Sequence, residues 1–119
     1  MATTYKVLAM TGAAGSTGNG AQTLTATTNT NLYTVPASTS TVVSTINACN
    51  TSATADTIRI AVRPAGATLA NQHYVAYNLT IPANSQYTFT GGVTLANTDV
   101  ITIYSTNGTT SFGAFGQEQ

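Results

Sequence analysis

The chain has 119 residues, and only six of them carry a full charge: Lys6, Arg59, Arg63, Asp56, Asp99 and Glu118. A soluble domain ordinarily commits about a quarter of its residues to charge, so the polarity here must come from the hydroxyls and amides of Thr, Ser and Asn. A net charge of zero on three dispersed cations excludes the Lys/Arg-rich face that nucleic-acid binding requires, and no apolar run approaches the ~20 residues of a membrane helix.

In chain order, Tyr5, Val7 and Leu8 mark a short strand able to add to an exposed sheet edge. The apolar run Val7-Leu8-Ala9-Met10 is too short for a secretory signal, so the chain reads as soluble and unprocessed. Thr11 to Asn31 is a Gly/Thr/Ala-rich stretch that cannot bury enough apolar surface to offset its ordering entropy. Residues 1–31 are therefore expected to form a flexible extended arm, either disordered or ordered across a neighbouring subunit, ahead of a single domain spanning 32–119.

Beyond Leu32 the apolar period is two. Val42, Val43 and Ile46 mark a strand ending near Cys49. As the one cysteine, Cys49 cannot form an intrachain disulfide and is expected to be a buried thiol. In Thr57-Ile58-Arg59-Ile60-Ala61-Val62-Arg63 the residues Ile58, Ile60 and Val62 alternate with Arg59, Ala61 and Arg63, the pattern of a half-buried strand. Ala65 to Gln72 reads as a crossing loop after Pro64. The next strand, His73 to Ile81, is expected to place His73, Val75, Tyr77, Leu79 and Ile81 on one face. Further strands are predicted at Tyr87 to Thr90 and Val100 to Ser105. Asn107-Gly108, the dipeptide best suited to a type I′ turn, is expected to close a hairpin that returns through Ser111 to Phe115.

Leu32-Tyr33-Thr34-Val35-Pro36-Ala37-Ser38-Thr39 echoes Leu79-Thr80-Ile81-Pro82-Ala83-Asn84-Ser85, and in both the proline marks a strand end. These features predict an all-β fold, an antiparallel β-sandwich of seven or eight strands with jelly-roll or related Greek-key connections.

Groups able to do chemistry are scarce. His73 is the single histidine, and nothing in the pattern places a nucleophile beside it. Asp56 and Asp99 follow turn sequences and read as residues whose oxygens hold nearby backbone amides. No usual metal-ligand spacing and no phosphate-cradling glycine motif is present, so no catalytic residue, metal or cofactor is expected. Tyr33, Tyr74, Tyr77, Tyr87 and Tyr104 leave open a carbohydrate-binding module, as β-sandwiches often bind sugars on aromatic platforms. The absence of Trp and the shortage of carboxylates count against it.

Several stretches read together carry a likeness: Tyr5-Lys6-Val7-Leu8, Leu32-Tyr33-Thr34-Val35-Pro36-Ala37, Cys49-Asn50, Arg59 to Ala67, Ala70-Asn71-Gln72-His73-Tyr74, and Ser111 to Gly116. The combination resembles small structural proteins of tailed-phage particles, particularly phages of cyanobacteria and marine bacteria, and Arg59 to Tyr74 is its most specific part. The resemblance implies a non-enzymatic β-sandwich of the virion. A single short chain without a coiled coil fits a capsid decoration, or cement, protein on the outside of the head, standing as a homotrimer on the major capsid protein. A tail, neck or baseplate component is the alternative. The expected interaction residues are Tyr5, Val7 and Leu8 in the arm, with Arg59, Arg63, His73 and Tyr74 in the domain.

Overall fold

A computed structural model describes residues 4–12, 22–23 and 25–119. The centre of the Gly/Thr/Ala stretch, residues 13–21, and residue 24 lie outside the described residues, as do the side chains of Tyr5 and Lys6.

The described residues form ten strands: β1 (Thr4–Gly12), β2 (Gln22–Thr23), β3 (Thr30–Thr34), β4 (Thr41–Asn50), β5 (Asp56–Arg63), β6 (Tyr74–Ile81), β7 (Ser85–Phe89), β8 (Val93–Leu95), β9 (Val100–Ser105) and β10 (Thr110–Glu118). One sheet runs β2-β1-β10-β4-β7, with β8 pairing the start of β4, and the other runs β3-β9-β5-β6. All pairings are antiparallel except that of β1 with β2. Because β7 and β8 both lie along β4, they act as one interrupted edge strand. With the two-residue β2 set aside, eight strands remain, and the chain changes sheet at every step except β5 to β6. That connectivity is a jelly roll, within the β-sandwich class that the alternating pattern predicts.

The two sheets enclose an aliphatic core. Ile46 and Ala48 from β4, Ile58 and Ile60 from β5, Ile101 and Ile103 from β9, and Phe112 and Ala114 from β10 are all buried. Burying each large member contributes about 1.5–3 kcal/mol. Ile58 and Ile60 point inward as the alternation requires, and Val62 packs at the margin.

The two Pro-Ala segments turn the same way. Ser38 and Asn84, each two residues after the proline, adopt left-handed backbone with φ of 58° and 55°, and both corners carry the chain from the β3-β9-β5-β6 sheet to the other. Two single 3-10 turns, Pro64–Gly66 and Asn71–His73, occupy the crossing between β5 and β6, as expected of a loop with no room for a longer helix.

Four expectations need correction. First, the β1 strand has a partner within its own chain. It pairs along β10 of its own chain, and Leu8 is 2 % exposed within the core, so residues 4–12 belong to the sandwich rather than to an arm ahead of it. Second, Asn107-Gly108 does not close a hairpin, because β9 and β10 lie in different sheets. Gly108 alone takes positive φ, at +71°, and a Cβ there would meet the Ala26 backbone nitrogen at 3.0 Å, so glycine is needed for close approach as well as for conformation. Third, Cys49 is half-buried, not buried: Ala48 and Asn50 occupy the inward positions of β4, which turns the thiol to the outer face opposite Ser111 and Gln86. Fourth, Val75 and Tyr77 do not share a buried face with Leu79 and Ile81; they are 39 % and 55 % exposed.

The cause of the fourth lies in the pairing of β6 with β5. Ile58 stands opposite Leu79 and Ile60 opposite Ala76, so Tyr77 and Asn78 together oppose Arg59. This is a β-bulge, with the extra residue accommodated by left-handed Asn78 at φ 51°. A second shift follows, since Ala61 pairs with Tyr74 and leaves Val75 unpaired. Each bulge breaks the strict period of two, and the edge strand presents residues outward that simple alternation would bury.

Candidate functional site

The bulged strand and its neighbours form one surface. Arg59 on β5 stands opposite Tyr104 on β9 and opposite the Tyr77-Asn78 bulge on β6. Its guanidinium lies 4.4 Å from the centroid of the Tyr104 ring and 4.6 Å from that of Tyr77. Arg59 Nε donates to Asn78 Oδ1 at 2.7 Å. Tyr74 meets Tyr77 edge to face with centroids 4.8 Å apart, and Asn71, Tyr74 and Tyr77 line an open cleft of about 410 Å³. Cation–π contacts of this kind contribute about 0.5–1 kcal/mol each at exposed sites, so their main effect is to hold the Arg59 side chain in one conformation.

Arg63, two residues along the same strand, is used differently. Its Nε donates to Thr102 Oγ1 at 2.9 Å, one terminal nitrogen to the carbonyls of Gly66 and Ala67 at 3.2 and 2.9 Å, and the other to Asn31 Oδ1 at 2.9 Å. These bonds tie the 3-10 turn after β5 to β3 and β9. His73 Nδ1 accepts the Ala70 N–H at 3.1 Å and closes the second 3-10 turn. The structure therefore brings Arg59 and Tyr74 together around Tyr77, while Arg63 and His73 fasten the crossing loop. Val7 and Leu8 sit on β1 in the opposite sheet, Val7 at the surface and Leu8 in the core. Tyr77, Tyr104, Asn71 and Asn78 complete the surface; Tyr104 is placed by the regular pairing of β9 with β5, and Tyr77 and Asn78 by the bulge.

The carboxylates serve the fold. Asp56 is 1 % exposed and accepts four hydrogen bonds: from Ser105 Oγ, from Thr110 Oγ1 at 2.6 Å, and from the Asn107 and Thr57 backbone N–H groups at 2.9 Å each. Burial alone would raise its pKa, but the bonds from Ser105, Thr110, Asn107 and Thr57 outweigh that and hold it below the ordinary 3.8. Asp99 accepts the N–H groups of Ala65 and Ala96 at 2.8 and 2.9 Å. Each aspartate thus fixes one nearby backbone amide, Thr57 or Ala96, as its turn context predicts, and also ties down distant groups: Ser105, Asn107 and Thr110 at Asp56, and the Ala65 amide at Asp99. Asn50, fully buried, donates to the carbonyls of Thr54, Ile81 and Pro82 and accepts from Ser52 N and Thr109 Oγ1.

At the other end of the sandwich the buried Tyr33 hydroxyl bonds Thr41 Oγ1 at 2.9 Å and donates to Glu118 Oε2. Burial, reinforced by the Glu118 carboxylate, pushes the Tyr33 phenol from 10.0 up to about 12. A folded-state pKa above the unfolded one stabilises the protein below about pH 10, and that contribution is lost as pH rises through about 12. In an absorbance titration of the six tyrosines, one phenol is expected to ionise late, near pH 12, and Tyr33→Phe to remove that step. Retention of the late step in the variant would assign it to another tyrosine.

Among the described residues, no cluster of three or more His, Cys, Asp or Glu side chains is placed to hold a metal ion. Comparison with known proteins finds no matching family, characterised protein or solved structure.

Proposed function

We propose that the chain is a non-catalytic structural component of a tailed-phage particle, a decoration protein that binds the outside of the capsid and stabilises the head. One observation carries this reading. Residues Arg59 to Tyr74, the run most specific to the phage likeness, form the second part of β5, the crossing loop and the first residue of β6, an edge strand that goes on to expose Val75 and Tyr77 on the same side of the jelly roll. Arg and Tyr are the side chains most often responsible for binding energy at protein interfaces. The acidic groups and the histidine meanwhile hold backbone and hydroxyl partners within the fold, which favours adhesion over catalysis.

Adhesion of this kind gains strength through repetition. A weak contact made by each of three symmetry-related copies on a lattice acts through avidity, so a homotrimer over capsid-subunit junctions is part of the proposal. Labelling the chain on intact particles tests it: signal is expected over the head surface, and signal confined to the tail would replace this reading with a tail, neck or baseplate role. Native mass measurement of the purified chain is expected to give a trimer.

A further inference from the structure

We propose that the outer face built by Arg59, Tyr77, Tyr74 and Asn71 is a binding site for a carboxylate-bearing sugar unit of the uronic-acid type. The site lies on the same face that the proposed function offers to a protein partner, so an acidic sugar and a protein surface are alternative occupants of it, and the peptide arm of the titration separates them.

Arg59 is organised in advance to receive an anion. Two ring faces and the Asn78 amide fix its side chain through the rings and Nε, so the conformational cost of holding the guanidinium still is already met within the fold. Its two terminal nitrogens make no hydrogen bond among the described residues. They form the planar fork that pairs with a carboxylate through two parallel bonds. Arg63, by contrast, spends both terminal nitrogens on its own chain.

The charge on Arg59 also lacks a counterpart from the protein. Asp56 is enclosed by four donors, Asp99 by two backbone amides, and Glu118 is engaged by Tyr33. Each side-chain carboxylate of the chain already has a partner within its own fold, so the anion is assigned to a different molecule.

The surface that adjoins Arg59 through Tyr77 indicates what carries that anion. Tyr77, whose ring lies against the guanidinium, lines with Tyr74 and Asn71 an open cleft of about 410 Å³, within the range of small-ligand sites, in which the tyrosines supply aromatic surface and Asn71 an amide. A pyranose ring offers an apolar C–H face to an aromatic side chain and hydroxyls to an amide, and a uronic acid adds one planar carboxylate. The site supplies a complement to each.

Calorimetric titration of the full chain with trigalacturonic acid, the matching neutral galactose trimer, and a short Glu-containing peptide tests the assignment. The acidic trisaccharide is expected to bind at least about tenfold more tightly than the neutral one, the effect of one charge-assisted hydrogen-bonded pair. Arg59→Lys, which keeps the charge and loses the fork, and Tyr77→Ala are each expected to weaken binding about tenfold. Asn71→Ala, on a 3-10 turn outside both sheets, is expected to weaken binding with the thermal transition unchanged. Absence of binding by the acidic trisaccharide, or equal binding of acidic and neutral sugars by the unaltered protein, overturns the proposal without reference to any variant. Arg59-dependent binding of the peptide at the strength of the acidic sugar overturns it in favour of a protein partner.

Discussion

Replacing Asp56 with Ala is expected to cost about 3–4 kcal/mol of folding stability, a large share of the 5–15 kcal/mol available to a typical domain. The carboxylate sits where three strands from both sheets meet: it opens β5, Ser105 ends β9, and Thr110 opens β10. Removing it leaves two hydroxyls and two backbone N–H groups facing a cavity. The hydroxyls can turn toward other acceptors, whereas the Thr57 and Asn107 amides are fixed by the chain and lose their bonds outright. Asp56→Asn keeps an oxygen for those amides and is expected to cost less, about 1–2 kcal/mol. Denaturant unfolding at neutral pH measures both, and losses below about 0.5 kcal/mol, the range of ordinary surface substitutions, would show that the cluster does not hold the corner.

The same site should make stability fall in acid. The folded-state pKa of Asp56 lies below the ordinary 3.8, so its contribution is complete above that value and lost as pH falls through the lower folded one. The native chain is therefore expected to lose more stability than Asp56→Asn when both are unfolded below pH 3.8. Parallel pH profiles would assign acid sensitivity to other groups.

Asp56 also marks how far the sequence could be read. Its position at a strand start and its bond from the Thr57 amide follow from the residues around it. Its partners Ser105, Asn107 and Thr110 lie 49, 51 and 54 positions away, and nothing local indicates them. β5 was legible because it is central and unbroken, flanked by β6 and β9, so each apolar residue faces the core in turn. The corners at Pro36 and Pro82 were legible because proline cannot continue a ladder. Asn107-Gly108 was misleading because a turn dipeptide specifies local backbone but not which sheet the next strand joins. The binding face was the least legible element. Arg59 and Tyr74 stand out from the sequence, but their meeting with Tyr77 depends on two bulges whose position is fixed by pairing with β5, not by local composition.

Replacing Leu8 with Ala is expected to cost about 2–4 kcal/mol, whereas Val7→Ala should change stability by less than about 0.5 kcal/mol. Neighbours in sequence differ this much because of their register on β10. Val7 pairs with Phe115 and is 40 % exposed, while Leu8 occupies the irregularity before Ala9 pairs with Ala114 and is 2 % exposed among the buried core residues. A detachable arm would show no such contrast, because a side chain ordered only on a partner contributes nothing to folding of the isolated domain. Since β1 lies on β10 of its own chain, the Leu8→Ala loss should be the same in dilute and concentrated protein. A loss that grew with concentration would show the strand exchanged between copies, since stability drawn from association depends on concentration by mass action. β1 separates the nine-residue β10 from the sheet edge. Stripping β1 away would expose the backbone groups of β10 as a template for strand addition, so a variant lacking residues 1–12 is expected to form species larger than the proposed trimer in sedimentation measurements, whereas Leu8→Ala, with its backbone intact, is expected to match the unaltered chain.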